Sequence, residues 1–292
     1  MSTITILLST YNGERYIGEQ LDSIFRQTGL EDHHLKLVVR DDSSSDKTPE
    51  IVNSWKNRLD ITLEQGQNVG ARDSFFLLLK QAPPSDYYAF CDQDDVWYPD
   101  KLQRSIARLN ARSLYFSNID YIGQDGNPLG GRLLSEDFHP GLKRILMCNP
   151  ANGCAMVWDQ AMHQCALEIP VDTFTMHDEF MCTVACLFGN LYYDPTPTMG
   201  YRIHERNVTQ SNGIVKKMKI KKEIWLGRER YALDKRARAL LQFNMRPEDR
   251  EVLRDLADYR SGVRRFMLAR SYACEDAGIE RSFRLRMLLG FL

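Results

Sequence analysis

Residues 91–97 read CDQDDVW and place three carboxylates, Asp92, Asp94 and Asp95, within four positions. They follow the apolar run YYAF at 87–90, where a buried strand would end. Carboxylates this close repel one another unless a cation or hydrogen-bond donors compensate them. A divalent cation holding a diphosphate would do so, because hard cations prefer carboxylate and phosphate oxygens. The alternative is a cap for the helix that begins near Pro99, although one carboxylate is enough for a cap.

Polar clusters also follow three other apolar runs. They read STYNGE at 9–14, DDSSSD at 41–46 and QNVGAR at 67–72. In an open α/β sheet, ligands bind beyond the carboxyl ends of the strands. We therefore expect all four clusters to meet at one rim of a sheet.

The elements that must position these clusters alternate between short β-rich runs and helical patterns. Strands are predicted at 3–8, 35–40, 61–63, 87–91, 114–119, 155–158, 191–193 and 199–203, with helices over 16–25, 73–81, 160–168 and 178–188 and from residues 48 and 99. This alternation is typical of a parallel sheet covered by helices. Residues 123–140, rich in Gly, Pro, Asp and Asn, predict a loop or hairpin. Beyond Gly213 only helices are predicted, over 214–243, 247–268 and 279–292.

The ordered segments STYNGERYIGEQLDSI, VVRDDSSSDKT, QNVGARDSF, CDQDDVWYPDKL, HDEF and YRIHERN resemble the family-2, inverting, GT-A type nucleotide-sugar glycosyltransferases. Within that family they look like the bacterial rhamnosyltransferase-like branch. The resemblance covers roughly residues 3–210. It implies a GT-A catalytic domain at 1–213, with a Rossmann-like, mostly parallel sheet flanked by helices. Residues 1–118 would form its donor half and 119–213 its acceptor half, followed by a basic helical region at 214–292.

The resemblance assigns nucleotide binding to the clusters at 9–14, 41–46 and 67–72. Thr10, Tyr11, Glu14, Asp41 and Asp42 would hold the base and ribose. A carboxylate accepts a hydrogen bond from the N3–H of uridine or thymidine, which favours these over cytidine. Asn68, Gly70 and Arg72 would lie along the nucleotide, with Arg72 near the diphosphate.

Residues 92–94 match the DxD element of that family. Asp92 would contact the ribose or sugar, Gln93 belongs to the donor site, and Asp94 would bind the diphosphate and a divalent metal, Mn²⁺ or Mg²⁺. Asp95 would bind the donor sugar or orient the loop. Asp92 and His204 are the other candidate metal ligands, although a lone histidine is as often an ordinary polar residue. The metal would stabilise negative charge on the departing nucleoside diphosphate.

Asp178 in the segment HDEF matches the catalytic carboxylate of the family, which accepts a proton from the acceptor hydroxyl. Capping of the helix that begins there is the alternative. The resemblance places further residues on the acceptor or diphosphate side, namely Trp97, Asn152, Gly153, His177, Glu179 and Arg202. Trp97, like Tyr98 and Trp158, would stack on a sugar or pack in the core. Arg202 would grip phosphate or be a solvated surface charge.

The net charge of −1 hides an asymmetry, because residues 214–292 hold 20 Lys and Arg against 11 Asp and Glu, whereas residues 1–213 hold 18 against 28. Basic helices with apolar faces either lie on anionic membranes, which suits a lipid-linked acceptor, or pack on the catalytic domain. The basic region lacks a nucleic-acid motif.

The chain shows no basic leader, no membrane-spanning run and no CxxC spacing among seven cysteines. We therefore expect the protein to be located in the bacterial cytoplasm, or on the inner face of the cytoplasmic membrane.

The sequence thus predicts a metal-dependent hexosyltransferase that inverts the configuration of the transferred sugar. The favoured reaction moves L-rhamnose from dTDP-rhamnose to a hydroxyl of a bacterial surface polysaccharide or O-antigen intermediate, and another UDP- or dTDP-sugar is the first alternative. A sugar-phosphate nucleotidylyltransferase would need a glycine-rich loop after the first strand, where residues 9–15 contain only Gly13. A non-catalytic glycan-binding module would leave the acidic clusters unexplained.

Overall fold

The computed structural model describes residues 1–147, 149–205 and 233–258 of the 292-residue chain, in two compact units. The first unit comprises Met1–His139, Pro150–Glu168 and Gly189–His204. The second comprises Pro140–Asn149, Ile169–Phe188 and the part of Glu205–Leu292 that is described. Parts of the predicted helices 214–243 and 247–268, namely 214–232 and 259–268, and the whole predicted helix 279–292 lie outside the described residues.

A seven-stranded sheet forms the centre of the first unit. Its strands are β1 (Ser2–Thr10), β2 (His33–Asp41), β3 (Asp60–Gln65), β4 (Tyr87–Cys91), β6 (Ser113–Ser117), β9 (Met156–Asp159) and β10 (Asn190–Asp194), in the order β10-β6-β9-β4-β1-β2-β3. Every pairing is parallel except those of β9, which runs antiparallel to β4 and β6. The predicted mostly parallel sheet is confirmed.

The register of this sheet brings the polar clusters to one rim. Thr10 lies opposite Asp41, Asp41 opposite Gln65, and Leu8 opposite Cys91. Residues 4–8 of β1 are all buried, as expected for a central parallel strand covered on both faces. The loops that leave β1, β2 and β4 therefore start side by side.

A smaller sheet of four strands also belongs to the first unit. It contains β5 (Val96–Trp97), β7 (Asp120–Ile122), β8 (Pro128–Arg132) and β11 (Met199–Arg202), in the order β5-β11-β7-β8. Strands β7 and β8 form an antiparallel hairpin, which confirms the hairpin alternative for the start of the Gly-rich segment. Because β5 pairs with β11, the chain directly after the acidic cluster is attached to the chain just before His204.

Five helices complete the first unit. They are α1 (Ile17–Phe25), α2 (Thr48–Ser54), α3 (Ala71–Gln81), α4 (Lys101–Ile106) and α6 (Gln160–Leu167). Pro49 stands in the first turn of α2, as the sequence predicts. Gly70 precedes α3 with φ of 82°, a left-handed conformation that favours glycine. Asp159 caps α6 by accepting a hydrogen bond from the backbone of Met162 at 2.7 Å.

The described part of the second unit is helical. It holds α5 (Leu142–Met147), α7 (His177–Phe188), α8 (Leu233–Leu240) and α9 (Pro247–Ala257). The single helix predicted up to Phe243 ends at Leu240, and the next begins at Pro247, as expected for proline in a first helical turn. None of the helices in the described ranges combines the length and apolarity needed to cross a membrane.

The core of the first unit contains a buried histidine in an aromatic stack. His163 lies against Tyr88, with ring centroids 4.0 Å apart, and its Nδ1 accepts a hydrogen bond from the Trp158 indole at 3.4 Å. Burial lowers the pKa of His163 from 6.5 to about 4. The unfolded chain therefore binds a proton here more readily than the folded chain does. This histidine stabilises the fold above pH 6.5 and loses that contribution as the pH falls towards 4.

We predict that His163→Phe reduces the acid sensitivity of the fold. Between pH 6.5 and 4 the wild type should lose about 3 kcal/mol more unfolding free energy than the variant, because about 1.4 kcal/mol corresponds to one pKa unit. At pH 7 the variant should be less stable by about 1 kcal/mol, since the Trp158 indole loses its acceptor. Urea unfolding across this pH range measures both. Parallel pH profiles for the two proteins would contradict the assignment.

Candidate active site

Four loops line the carboxyl rim of the larger sheet. Loop 1 (residues 11–16) follows β1, loop 2 (residues 42–47) follows β2, loop 3 (residues 66–70) follows β3, and the DQDD loop (residues 92–95) follows β4. Each loop carries predicted donor-site residues. The structure thus brings the four polar clusters to one edge, as the sequence predicts.

Gln93 connects loop 1 to the DQDD loop through both ends of its side-chain amide. Its Oε1 accepts hydrogen bonds from Thr10 Oγ1 at 2.6 Å and the Tyr11 backbone N–H at 2.8 Å. Its Nε2 donates to the Tyr11 carbonyl at 3.0 Å. Gly13 leaves the space for this amide, because a Cβ on Gly13 would lie 2.1 Å from Gln93 Oε1. Gln93 therefore orders loop 1, and half of the Tyr11 side chain stays exposed.

Loop 1 is also tied to loop 2. Asn12 Oδ1 accepts a hydrogen bond from the Ser45 N–H at 2.9 Å, and the Gly13 N–H donates to Thr48 Oγ1 at 2.8 Å. The Glu14 carboxylate accepts from the Lys47 N–H at 3.1 Å. These contacts fix the two loops that are predicted to enclose the nucleotide.

Asp41 and Asp42 are held inside the protein. Asp42 is 2% exposed and accepts hydrogen bonds from Arg40 at 3.0 Å and from the backbone N–H groups of Val69 and Gly70 at 3.0 and 2.8 Å. Asp41 accepts from the Ser44 backbone and hydroxyl. Both carboxylates therefore shape loops 2 and 3. Their direct contact with a nucleotide stays a prediction.

The remaining residues predicted along the nucleotide lie on loop 3 and the start of α3. Asn68 and Gly70 are exposed. Arg72 is paired with Asp73, and its guanidinium lies over the Phe76 ring, 4.8 Å from the centroid. In this structure the Arg72 side chain is therefore ordered by its own helix.

The DQDD loop turns two of its carboxylates inward. Oxygen atoms of Asp92 and Asp95 and the Cys154 sulfur all lie within 4.8 Å of one another. Burial and the charge of Asp94 raise the pKa of Asp92 to about 7, while a hydrogen bond with Cys154 opposes this rise. Burial and the charge of Asp92 raise the pKa of the Cys154 thiol well above its usual range, so the thiol stays protonated and donates to Asp92. Protein donors thus compensate part of the charge.

Asp95 is the most buried of the three carboxylates, with 1% exposure. Its Oδ1 accepts a hydrogen bond from the Arg202 backbone N–H at 3.1 Å. Burial and the charges of Asp94 and Asp92 raise the pKa of Asp95 well above its usual range. Of the two roles that the sequence leaves open for Asp95, these contacts favour orienting the loop.

Asp94 and His204 meet directly. His204 Nε2 lies 2.7 Å from Asp94 Oδ2, and the imidazole stacks on the Tyr16 ring at 5.1 Å between centroids. These two residues are 110 positions apart in the chain. A carboxylate oxygen and an imidazole nitrogen are donors that Mn²⁺ accepts, and Mg²⁺ prefers oxygen donors. The residues present therefore fit the predicted divalent cation, with Asp94 and His204 as its first candidate ligands.

Arg202 is fully buried and contacts the DQDD loop. Its Nε donates to the Asp94 carbonyl at 2.8 Å, and its Nη1 donates to the carbonyls of Gly123 and Gln124 at 3.2 and 3.0 Å. Its Nη2 binds the Glu19 carboxylate at 2.6 Å. A guanidinium engaged in this way positions the loop, so the predicted phosphate contact of Arg202 lacks a geometric basis in this structure.

Two residues predicted on the acceptor side have local structural roles. Trp97 is 2% exposed and packs under the Lys101 ammonium, 4.8 Å from the ring centroid. A ring buried to this extent has no face available for a sugar, so the expected sugar contact is corrected to core packing. Asn152 caps the short 3₁₀ helix Gly153–Ala155 by accepting from the Cys154 N–H at 2.8 Å. Tyr98 is partly buried and donates to Asp120 at 2.9 Å.

The candidate base belongs to the second unit. Asp178 is the second residue of α7, and its Oδ1 accepts a hydrogen bond from the Glu179 N–H at 2.6 Å. Glu179 Oε2 accepts from the Thr175 hydroxyl at 2.7 Å, and Glu179 Oε1 binds Arg236. His177 is buried, which lowers its pKa to about 3, so this imidazole is neutral at physiological pH. Asp178 and Glu179 are both partly exposed, and the Glu179 carboxylate is the one that Arg236 binds.

The chain is similar to proteins of a known family. The sequence profile of Glycosyl transferase family 2 matches residues 5–160, more than half of the chain. The chain belongs to that family. It is therefore a glycosyltransferase.

One curated relative and two solved structures resemble this glycosyltransferase. The dTDP-rhamnosyl transferase RfbG of Shigella flexneri is 27% identical over 235 residues, which cover 70% of this chain and 74% of the relative. The structure of Staphylococcus aureus TarS 1–349 in complex with UDP-GlcNAc matches with a TM-score of 0.60 at 18% identity, covering 98% of this chain and 81% of that one. The mannosyltransferase PcManGT of Pyrobaculum calidifontis, in complex with GDP-Man and Mn²⁺, matches with a TM-score of 0.56 at 17% identity, covering 99% and 81%. The two structures support the GT-A fold.

Sequence reasoning missed three residues, Cys154 and Glu19 in the first unit and Arg236 in the second. Cys154 was considered only as one of seven cysteines without CxxC spacing, Glu19 lies inside the segment STYNGERYIGEQLDSI but received no role, and Arg236 lies outside the resemblance. The position of Cys154 directly after Asn152-Gly153 was the available signal for the first. The other two depend on contacts 183 and 57 positions apart in the chain, which a pattern in one sequence does not reveal.

We predict that Gly13→Ala weakens donor binding. The added Cβ would displace the Gln93 amide and break the three hydrogen bonds that order loop 1. We expect nucleotide affinity to fall by about 10-fold, since about 1.4 kcal/mol corresponds to that factor. Titration of a nucleoside diphosphate by calorimetry measures this change.

Gly18→Ala is the matched control. Gly18 lies in α1, and a Cβ there would meet only the Ile51 methyl at 3.9 Å. Alanine is also the better helix former by about 1 kcal/mol. The control should keep wild-type affinity, and equal losses in the two variants would contradict the role given to Gln93.

Proposed function

We propose that this glycosyltransferase transfers L-rhamnose from dTDP-rhamnose, with inversion, to a hydroxyl of a bacterial surface polysaccharide or O-antigen intermediate. The observation that carries the proposal is the Asp94–His204 pair on the DQDD loop, beside loop 1, which Gln93 orders. The similarity to the Shigella dTDP-rhamnosyl transferase supports the choice of donor. The acceptor is proposed to be lipid-linked, and the basic region at 214–292 would bring the enzyme to the inner face of the cytoplasmic membrane.

The donor side follows from the loops of the first unit. Tyr11 on loop 1 and residues 68–70 on loop 3 present exposed groups to the nucleotide. Asp94, His204 and Asp92 would hold Mn²⁺ or Mg²⁺. When bound, the metal stabilises negative charge on the nucleoside diphosphate. The protein keeps the remaining carboxylates compensated through Cys154 and the Arg202 N–H.

Asp178 is proposed to accept the proton of the acceptor hydroxyl. The hydroxyl oxygen then forms a bond to the anomeric carbon of the sugar, on the face opposite the diphosphate, while the bond to the diphosphate oxygen breaks. A single displacement inverts the anomeric configuration. A retaining glycosidase differs because it requires a second carboxylate as nucleophile.

We predict that dTDP stabilises the protein in a manner that depends on Mn²⁺ and on Asp94. A ligand at about 100 times its dissociation constant adds about 2.7 kcal/mol of apparent stability. In a thermal-shift panel of dTDP, UDP, GDP and CDP, each with and without Mn²⁺, dTDP should give the largest metal-dependent shift. Asp94→Asn should abolish that dependence.

Asp32→Asn is the matched control. Asp32 is an exposed aspartate just before β2, at the amino end of the strand and therefore away from the carboxyl rim. It should respond to nucleotides as the wild type does. A dominant response to UDP would overturn the dTDP assignment and leave the glycosyltransferase intact. A response that is independent of Asp94 would overturn the role given to the DQDD loop.

A further inference from the structure

Arg236 of α8 forms hydrogen bonds with the segment that leads into α7. Arg236 is 3% exposed. Its Nε and Nη2 donate to the Thr173 carbonyl at 3.0 and 2.9 Å, and its Nη1 binds the Glu179 carboxylate. One guanidinium thus reaches both sides of Asp178, five residues before it and one residue after it.

The partners of Arg236 are fixed in turn. Glu179 Oε2 accepts hydrogen bonds from the Thr175 hydroxyl and backbone N–H at 2.7 and 3.3 Å. The guanidinium lies over the Phe174 ring, 4.7 Å from its centroid, and Phe174 packs edge-to-face on Phe180 at 5.0 Å. Residues 173–180 therefore form a closed set of contacts with Arg236 at its centre.

Asp178 is connected to this set through one peptide group. Its Oδ1 accepts a hydrogen bond from the N–H of Glu179, the residue that Arg236 binds. A shift of Glu179 would move this N–H and change the orientation of the Asp178 carboxylate. We propose that Arg236 is a positioning residue for Asp178, an inference that rests on the proposed role of Asp178 as the catalytic base.

The geometry requires arginine. The guanidinium donates from three nitrogens in one plane to two separate acceptors, and its face stacks on Phe174. A lysine ammonium is a compact charge without that fork. Arg236→Lys should therefore keep the charge near Glu179 but lose the hold on Thr173.

The other end of α7 offers a matched control. Arg246 Nη2 donates to the Cys186 carbonyl at 2.9 Å, and its Nε binds Asp249 at 2.6 Å. Arg246 also comes from the C-terminal region, but it contacts α7 two residues before its end, about 12 Å along the helix from Asp178 at 1.5 Å per residue. Its loss should affect stability without affecting the orientation of Asp178.

The experiment compares Arg236→Gln, Arg236→Lys and Arg246→Gln with the wild type. The rate is the release of dTDP from dTDP-rhamnose with water as the acceptor, measured with a coupled assay. Both Arg236 variants should lose about 10- to 100-fold in kcat, because a misplacement of about 1 Å costs rates of that order. Their KM for the donor should stay within about twofold of wild type, and Arg246→Gln should keep the wild-type kcat.

Hydrogen–deuterium exchange supplies a readout that needs no substrate. Arg236→Gln should speed exchange in the peptide covering 173–179, whereas Arg246→Gln should speed it only near 184–188. The double variant Glu179→Gln with Arg236→Gln should be no slower in turnover than the poorer single variant, because the two residues act through one contact.

Three outcomes separate failure of this inference from failure of the proposed function. Unchanged exchange at 173–179, or wild-type kcat in Arg236→Gln, would overturn the role of Arg236. Wild-type kcat in Asp178→Asn would overturn the choice of base, and with it the inference. Loss of kcat in Asp178→Asn together with retained kcat in Arg236→Gln would overturn the inference alone.

Discussion

The conflict between burial and charge at the end of β4 is the constraint on which this site depends. The strand must be buried because it pairs with β1 and β9 in the centre of the sheet. Its continuation nevertheless carries Asp92, Asp94 and Asp95 into a confined space. The protein compensates the inner two through the Cys154 thiol and the Arg202 N–H, and it leaves Asp94 beside His204. The charge that stays at the rim is the charge that a divalent cation would meet.

The surrounding structure holds the DQDD loop in place. The Arg202 guanidinium binds three backbone carbonyls and Glu19. It therefore fixes the path of the loop. Gln93 extends the same order to loop 1. In the second unit, Arg236 binds Glu179, whose backbone N–H donates to the Asp178 carboxylate.

The sequence predicted most of the fold because parallel strands leave local signals. Each central strand reads as an apolar run that ends in a polar cluster, and the register then determines that the clusters meet. The motif order also indicated the family. Burial and long-range contacts left no such signal. Trp97 is of a residue type that often stacks on sugars, and only the packing of Lys101 against its ring shows that it belongs to the core. Arg202 and Arg236 likewise act through residues far away in the chain.

Asp94 and His204 are proposed to hold a divalent cation together with the donor diphosphate. Pulsed electron paramagnetic resonance of Mn²⁺ added with dTDP can test this proposal, because hyperfine coupling identifies the nuclei that surround the metal. We expect coupling to phosphorus and to an imidazole nitrogen in the wild type. In His204→Gln the nitrogen coupling should disappear and the phosphorus coupling should remain. Phosphorus coupling without nitrogen coupling in the wild type, or nitrogen coupling that survives in His204→Gln, would rule out His204 as a ligand of the metal.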